Sequence, residues 1–333
     1  MKLASLKEGG RDGTLIVVSK DLSRAVKATG IADTLQHALE DWSNLAPRLN
    51  AVYEVLQASP AETINGEPVF RLDFERLAAP LPRAYEFVDG SAYLPHVERV
   101  RRARGAEVPA SFYTDPLMYQ ATSAGFYGPR DPIVVPSEEH GIDLEAEIVV
   151  VTDDVALGAT PAQAAGHIQL IGLVNDVSLR HLIPNELGKG FGFLQSKPRS
   201  ALSPVFVTPD ELGDAWRDCK VHLPLLTHVN GHWFGAPEAG VDMQFDFSQL
   251  IAHAAKTRPL SAGTIVGSGT VANQDTSLGA SCFAERRTVE TLEQGKPVTP
   301  FMSFGDRVRI EMLDRGGQSI FGAIEQTVNP ATV

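Results

Sequence analysis

Two glutamates, Glu145 and Glu147, stand two residues apart at the entrance of an apolar run in the sequence. The run, residues 148–151, is β-branched throughout and is typical of a buried strand. Residues i and i+2 of a strand point to the same face, so both carboxylates are predicted to project side by side. Two more acidic residues accompany apolar strand patterns: Asp115 in SFYTDPLMYQ, and Asp176 at the end of IQLIGLVND.

Acidic side chains at the mouth of a buried strand are seldom left unpaired, because like charges held close together are costly. A hard divalent cation binds carboxylate oxygens and would offset that repulsion. Positions left open on such a cation accept a bidentate oxygen substrate, and the ion then acts as a Lewis acid. Two plainer interpretations stay open from the residues alone: Glu-x-Glu on a solvated strand edge, and Asn-Asp as a simple turn.

Composition limits the classes of partner. The chain has 333 residues, a net charge of −12 and a pI of about 5.2, so binding to the phosphate backbone of nucleic acids is not expected. The dense basic stretch, residues 97–105, is interpreted as a solvated helix face. Cys219 and Cys282 are interpreted as reduced packing residues. No segment resembles a signal peptide or a membrane span, which predicts a cytoplasmic protein without a membrane partner.

The elements that must position the carboxylates fall into two parts. Strand patterns KLASLKE and TLIVVS, a helical pattern over residues 34–57 and the strand EPVFRLDF predict a small α+β domain at residues 1–78. Residues 79–333 are rich in short β runs: DPIVVP, EAEIVVVT, HIQLIGLVND, SPVFVTP, VHLPLLTHVNG, GTIVGSGTV and DRVRIEMLD. Helical patterns there cover only residues 93–104, 161–167 and 247–256, which predicts a mixed, mostly β domain.

The ordered motifs of this second part resemble the fumarylacetoacetate hydrolase family. The resemblance runs from about residue 77 to 328 and rests on AYLPHVERV, YTDPLMYQ, DLEAEIVVV, LVNDVSLR, QSKP, VNGHWFGAPEAGVDMQFDFSQLIAHAAKTRPLSAGTIVGSGTV and SFGDRVRIEM. It implies an α+β fold in which a mixed β-sandwich roll follows a small SH3-like N-terminal domain. It also implies a homodimer.

The resemblance implies a metal site as well. Its ligands would be Asp115, Glu145, Glu147 and Asp176, and its ion Mg²⁺, with Mn²⁺ or Ca²⁺ as alternatives. Family members cleave or rearrange 1,3-diketo and 2-keto acids, which are small-molecule substrates. A developing enolate needs a nearby positive charge in a site with little water, which agrees with this ligand set.

Further site residues follow from the same motifs. Lys197 in QSKP matches an active-site lysine that stabilises anionic substrate, and Arg180 matches a substrate-contacting arginine. Thr270 matches a threonine that lines the substrate site. Tyr127 or Phe126 stands where an aromatic residue contacts substrate. Without the motifs, Lys197 would be interpreted as a surface lysine and Arg180 as part of a surface ion pair. Thr270 would be an ordinary residue at a strand end, and the aromatic residue would be core packing.

The general base is the point at which the sequence departs from the family pattern. Gln120 stands where full-length hydrolases have the histidine that activates water. An amide cannot accept that proton at neutral pH, so Gln120 can orient water but cannot be the base. His96 in AYLPHVERV matches the histidine of smaller members, which pairs with a glutamate. Arg99 holds that glutamate's expected place, while Glu98 lies one residue earlier and about 100° away on a helix.

Three functions are compatible with these features. The first is a metal-dependent hydrolase of C–C bonds that acts on a fumarylacetoacetate-like or acylpyruvate-like acid, in the catabolism of aromatic compounds. The second is a 2-keto acid decarboxylase, or an enol–keto isomerase or hydratase, on the same metal site. The third is a non-catalytic protein that binds a metal and a keto acid.

Overall fold

The computed structural model of the chain describes residues 1–58, 60–103, 105 and 107–332. Within them, strands make up about 29% and helices about 26%, which confirms the predicted α+β class. The strands are β1 (Lys2–Leu6), β2 (Thr14–Val18), β3 (Arg24–Lys27), β4 (Thr63–Ile64), β5 (Glu67–Pro68), β6 (Phe70–Arg71), β7 (Phe87–Gly90), β8 (Met118–Gln120), β9 (Ile133–Val135), β10 (Ile142–Asp143), β11 (Ala146–Thr152), β12 (Ile168–Asn175), β13 (Ser178–Leu179), β14 (Ala201–Leu202), β15 (Phe206–Val207), β16 (Trp216–Arg217), β17 (Lys220–Val221), β18 (Leu226–Val229), β19 (His232–Gly235), β20 (Ile265–Gly267), β21 (Arg307–Glu311) and β22 (Ile324–Pro330).

The α-helices are fewer than the strands, and the longest, of 17 residues, exceeds every strand in length. They are α1 (Leu35–Glu40), α2 (Trp42–Ala58), α3 (Leu94–Ala103), α4 (Pro161–Ala164), α5 (Ile183–Gly188), α6 (Phe247–Ala254) and α7 (Phe283–Gln294). None of these helices, within the described part of the chain, is long and apolar enough to cross a lipid bilayer.

One large sheet holds the centre of the molecule. Its strand order is β6-β3-β2-β1-β15-β12-β11-β20-β7-β8, with β14 also pairing to β12. Within the described residues, β20 and β7 are the one parallel pair of this sheet. Strand β11 is buried along its whole length, which explains the uninterrupted β-branched run of residues 148–151. A second sheet has five strands in the order β19-β18-β21-β22-β9, in which β22 and β9 run parallel.

The N-terminal part joins the large sheet. Strand β1 pairs with β15 through Leu3 and Phe206, so strands from both parts of the chain share one hydrogen-bonded sheet. The helical pattern predicted for residues 34–57 is divided between α1 and α2, which Asp41 separates. The SH3-like character of this part and its boundary at residue 78 remain predictions.

Two helices matter for the site. Helix α3 lies within the predicted helix of residues 93–104, whose last residue, Arg104, lies outside the described residues. Helix α7 was not predicted. Cys282 caps its N-terminus by accepting the backbone N–H of Glu285, and Gly295 ends it in the left-handed conformation with a φ of 81°.

Gly172 in β12 allows the Phe206 ring to lie against the strand. A Cβ added at Gly172 would overlap that ring. We therefore expect Gly172→Ala to lower the free energy of unfolding by about 1–3 kcal/mol, the usual cost of overpacking, as measured by urea denaturation. Gly166→Ala is the matched control, because no atom lies within 4 Å of a Cβ there. Equal stability of the two variants would contradict this packing.

Candidate functional site

Three carboxylates converge where the strands of the large sheet end. Asp89 lies on β7, Glu147 on β11 and Asp176 directly after β12, and one ligand oxygen from each lies within 4.8 Å of the others. Their exposed fractions are 3%, 1% and 1%, so all three are buried. Such a cluster of like charges without a counter-ion is unfavourable.

Strand β20 separates β7 from β11 and contributes Gly267 to the space between the carboxylates. Gly267 pairs with Asp89 on one side and with Val149 on the other. A Cβ at Gly267 would overlap Asp89 Oδ1 and lie 3.3 Å from Glu147 Oε2. The absence of a side chain therefore leaves room beside both carboxylates.

The electrostatics of the cluster favour a bound cation. Burial, together with the charges of Asp89, Asp176 and Glu145, raises the pKa of Glu147 well above its usual value. Burial and the charge of Asp176 raise the pKa of Asp89 to about 7. Neither oxygen of Glu147 accepts a hydrogen bond from an N–H or hydroxyl group of the described residues. The three carboxylates offer hard oxygen ligands, and both oxygens of Glu147 are without an N–H or hydroxyl donor in the described part of the chain. This set fits a divalent cation of the Mg²⁺, Mn²⁺ or Ca²⁺ class.

Glu145 lies in a different environment from Glu147. Its carboxylate accepts hydrogen bonds from Arg180 Nη2 (2.6 Å), Ser178 Oγ (2.9 Å) and Thr270 Oγ1 (2.9 Å), and from Lys197 Nζ. Burial alone would raise its pKa, but the charges of Arg180 and Lys197 outweigh burial and lower it. The structure thus brings three predicted site residues, Arg180, Lys197 and Thr270, onto this one carboxylate.

Asp115 is a correction to the predicted ligand set. Its side chain is 67% exposed and lies 3.5 Å from His253, and it is not part of the buried cluster. The reason is the register of β8, in which Tyr119 lies opposite Asp89. Asp115 is three residues before β8 begins and so lies beyond the paired region. Of the four predicted ligands, Glu147 and Asp176 lie in the cluster, whereas Asp115 and Glu145 do not. The third member of the cluster is Asp89, which the sequence analysis did not name.

Lys197 and Tyr119 hold Asp176 in position. Lys197 Nζ and the Tyr119 hydroxyl both donate to Asp176 Oδ2, at 2.6 and 2.5 Å, and Ser200 Oγ donates to Oδ1 at 2.6 Å. Lys197 Nζ also lies 5.1 Å from the centre of the Tyr119 ring. Burial would lower the pKa of Lys197, but Asp176 and Glu145 raise it, so the side chain is an ammonium.

Three other predicted residues lie elsewhere. Gln120 is exposed and follows Tyr119 on β8, so it points to the opposite face, where its Nε2 lies 3.3 Å from Glu86 Oε1. Phe126 is buried in the core, with its ring centre 5.6 Å from that of Phe87. Tyr127 is half-buried, and the guanidinium of Arg199 lies over its ring. The predicted roles of Gln120 in orienting water and of Phe126 or Tyr127 in contacting substrate remain predictions.

His96 has a carboxylate partner that the sequence analysis did not identify. Its Nδ1 lies 2.5 Å from Oε2 of Glu285 on α7, and Arg99 donates to the other oxygen. Glu98, the candidate considered from the sequence, accepts instead from the Tyr113 hydroxyl at 2.7 Å. Burial would raise the pKa of Glu285, but the bond with His96 and the charges of His96 and Arg99 outweigh it and lower the pKa.

The start of α7 brings Glu285 to the site. Cys282 forms a backbone bridge with Glu145, and the N–H of Phe283 donates to Asp143 Oδ1 at 2.7 Å. Arg180 joins the same group, since its Nε donates to Asp143 Oδ2 at 2.7 Å. The His96–Glu285 pair is therefore connected to Glu145 through three residues of chain.

Two family models match the chain and together cover nearly all of it. The model described as fumarylacetoacetate (FAA) hydrolase C-terminal matches residues 86–329, and the model described as fumarylacetoacetase N-terminal domain 2 matches residues 1–83. The chain belongs to the fumarylacetoacetate hydrolase family. Enzymes of this family depend on divalent metals, which agrees with the carboxylate cluster.

Individual relatives include more than one activity. The chain is 30% identical over 160 residues to a 2,4-didehydro-3-deoxy-L-rhamnonate hydrolase of Sphingomonas sp., covering 47% of this chain and 53% of the relative. It is 28% identical over 163 residues to a mitochondrial oxaloacetate tautomerase of Xenopus laevis, covering 47% of each. The matched segment thus spans about half the length of these curated relatives.

A solved structure shows the same fold along the whole chain. The fumarylacetoacetate hydrolase of Exiguobacterium antarcticum superposes with a TM-score of 0.67 at 18% identity, covering 99% of this chain and 100% of the other. The predicted family fold is confirmed by this likeness and by the family models.

The ligand set can be tested by metal binding alone. We expect Asp89→Asn to weaken Mn²⁺ binding at least about tenfold in titration calorimetry at pH 8, because it removes one charged ligand. Asp115→Asn is the matched control and is expected to bind Mn²⁺ like the wild type, because Asp115 lies at the surface. The reverse pattern would restore Asp115 to the site.

The metal-free protein should lose stability as the pH rises from about 4 to about 7. Because the folded-state pKa of Asp89 is raised from 3.8 to about 7, its contribution is complete below the unfolded pKa and is lost as the pH passes the folded pKa. The raised pKa of Glu147 acts in the same direction. Melting temperatures in the presence of a chelator measure this effect, and Asp89→Asn should reduce the pH dependence. An unchanged pH dependence in that variant would contradict the assignment.

Proposed function

We propose that the protein is a divalent-metal-dependent hydrolase that cleaves a C–C bond of a 1,3-diketo acid of the acylpyruvate class. The observation that carries this proposal is the buried cluster of Asp89, Glu147 and Asp176 beside an ammonium group, Lys197. The activity of the Sphingomonas relative, which is named a hydrolase, gives further support.

The site would treat the substrate as a chelating anion. A divalent cation held by Asp89, Glu147 and Asp176 would supply Lewis-acid polarisation of the substrate's carboxylate and keto oxygens. Lys197 lies beside that position as a buried cation and would stabilise the negative charge that develops on a substrate oxygen. Tyr119 and Ser200 keep Asp176 oriented by donating to its two oxygens.

His96 and Glu285 would supply the general base. With Glu285 ionised, the carboxylate accepts the Nδ1–H of His96, which leaves Nε2 free to accept a proton. Nε2 removes a proton from water as the water oxygen attacks the carbonyl carbon of the acyl group. The bond between that carbon and the neighbouring CH₂ then breaks, and its electron pair leaves as the enolate of pyruvate. The proton on Nε2 returns to that enolate, so water is consumed and both product acids form.

Three less direct parts of the proposal follow from the family resemblance. The substrate is a small-molecule keto acid, the protein acts as a homodimer, and the reaction belongs to the catabolism of aromatic compounds. Each is a proposal that rests on the family rather than on contacts within this chain.

A second candidate function is the enol–keto isomerisation of a 2-keto acid. The observation that favours it is the paired base His96–Glu285, which can move a proton between a carbon and an oxygen of a chelated enol without water attack. The relative from Xenopus laevis is named an oxaloacetate tautomerase, which supports the same chemistry.

Product analysis with Mg²⁺-loaded protein distinguishes the two candidates. Acetylpyruvate should give pyruvate and acetate in the proton NMR spectrum if the protein is a hydrolase, whereas isomerisation of oxaloacetate alone would favour the second candidate. Lys197→Met is expected to lower kcat about 10²–10³-fold, because it removes a charge that stabilises the transition state. Circular dichroism and Mn²⁺ binding would establish that this variant is folded.

The base is tested by a matched pair of glutamate variants. Glu285→Gln is expected to lower kcat about 10²–10⁴-fold and to change the acidic limb of the pH–rate profile. The reason is that an uncharged amide no longer orients His96 or stabilises its protonated form. Glu98→Gln on α3 should behave like the wild type, because Glu98 contacts Tyr113 rather than His96. Equal turnover by both variants would remove the His96–Glu285 pair from the mechanism.

A further inference from the structure

An apolar surface borders the segment that leads to Lys197. Leu187, Phe191 and Leu194, here called the apolar lip, have exposed fractions of 50%, 99% and 81%. Exposed apolar side chains are ordinary one at a time, but here three lie within eight residues of the segment that leads to Lys197.

A buried carboxylate holds this segment in a defined conformation. Glu186, within α5, accepts hydrogen bonds from the backbone N–H groups of Leu194 (3.1 Å), Gln195 (2.6 Å) and Ser196 (3.1 Å), and from the hydroxyl of Ser196. Hydrogen bonds from several donors to one ionised acceptor are among the stronger ones in proteins. The chain returning toward Lys197 is therefore fixed rather than free.

The same segment places Phe193 against the site. The Phe193 ring meets the Tyr119 ring edge-on, with 4.8 Å between the ring centres and 86° between the planes. The Tyr119 hydroxyl in turn donates to Asp176 of the carboxylate cluster at 2.5 Å. Two contacts thus connect the cluster to Phe193, which lies in sequence between Phe191 and Leu194 of the apolar lip.

We propose that Phe193 is a specificity-determining residue that, with the apolar lip, contacts the acyl part of the substrate and selects apolar acyl groups. This inference rests on the proposed function, because the cluster would hold the chelating end of the same substrate. Burying apolar surface contributes about 25 cal/mol per Å², so a substrate that extends along this surface gains affinity with each added methylene group. A short or carboxylate-ended acyl group gains little there.

The ratio of two kcat/KM values tests the selection. With Mg²⁺-loaded protein, we expect hexanoylpyruvate to be preferred over fumarylpyruvate, and Phe193→Ala to reduce that preference about tenfold or more. Phe193→Leu should retain most of it, because leucine keeps much of the apolar area. Leu194→Ala should reduce it, whereas Leu157→Ala should leave it unchanged. Leu157 is also an exposed leucine but follows the far end of β11.

A binding measurement separates failure of this inference from failure of the proposed function. Calorimetric titration with pyruvate and with 2-oxo-4-phenylbutyrate, both with Mg²⁺ present, gives an affinity ratio that requires no turnover. A ratio that favours the phenyl compound in the wild type and falls in Phe193→Ala supports the selection even if no acylpyruvate is cleaved. The same ratio in the wild type and in Phe193→Ala would overturn it, whatever the activity.

Discussion

The repulsion among buried carboxylates is the constraint on which the rest of the site depends. Asp89 and Glu147 lie on two strands and Asp176 directly follows a third, and the pairing of β7, β20, β11 and β12 brings them together. Bringing such groups out of water costs free energy unless protons or cations offset the charge. Lys197 and Tyr119 donate hydrogen bonds to Asp176, and Lys197 also brings a positive charge. The oxygens of Glu147 are left for an ion.

The different environments of Glu145 and Glu147 follow from the same repulsion among buried carboxylates. The two side chains are close in sequence, yet four donors surround Glu145 and none of the described N–H or hydroxyl groups reaches Glu147. Glu145 is thus an anchor for Arg180 and Lys197, and it stays ionised. Glu147 has unsatisfied oxygens, which is the usual condition of a group that awaits a ligand.

Local sequence patterns predicted the strands well, because their periodicity and their turn residues are local properties. Each of the seven β runs predicted in residues 79–333 contains a strand of the structure. The family motifs also indicated Glu147, Asp176, Lys197, Arg180 and Thr270, which the structure brings to one region. By contrast, a single sequence does not show which residues of distant strands lie opposite each other. Asp115 was therefore chosen in place of Asp89.

The partner of His96 was missed for a related reason. Glu285 is 189 residues away along the chain and lies on a helix that the sequence analysis did not predict. The motif AYLPHVERV indicates only positions on the same helix as His96, which are those of Glu98 and Arg99. Tyr119 was overlooked because an aromatic residue on a short strand is usually core, and only the register with Asp89 shows that it faces the cluster.

The pairing of β1 with β15 has a consequence for how the N-terminal part is used. Without the N-terminal strands, the large sheet would end at β15. That edge would expose a row of unpaired backbone N–H and C=O groups, which is a template for aggregation. The strands before residue 72 cover that border and carry the exposed edge outward to β6, a strand of only two residues. The N-terminal part thereby protects the large sheet from edge-to-edge aggregation.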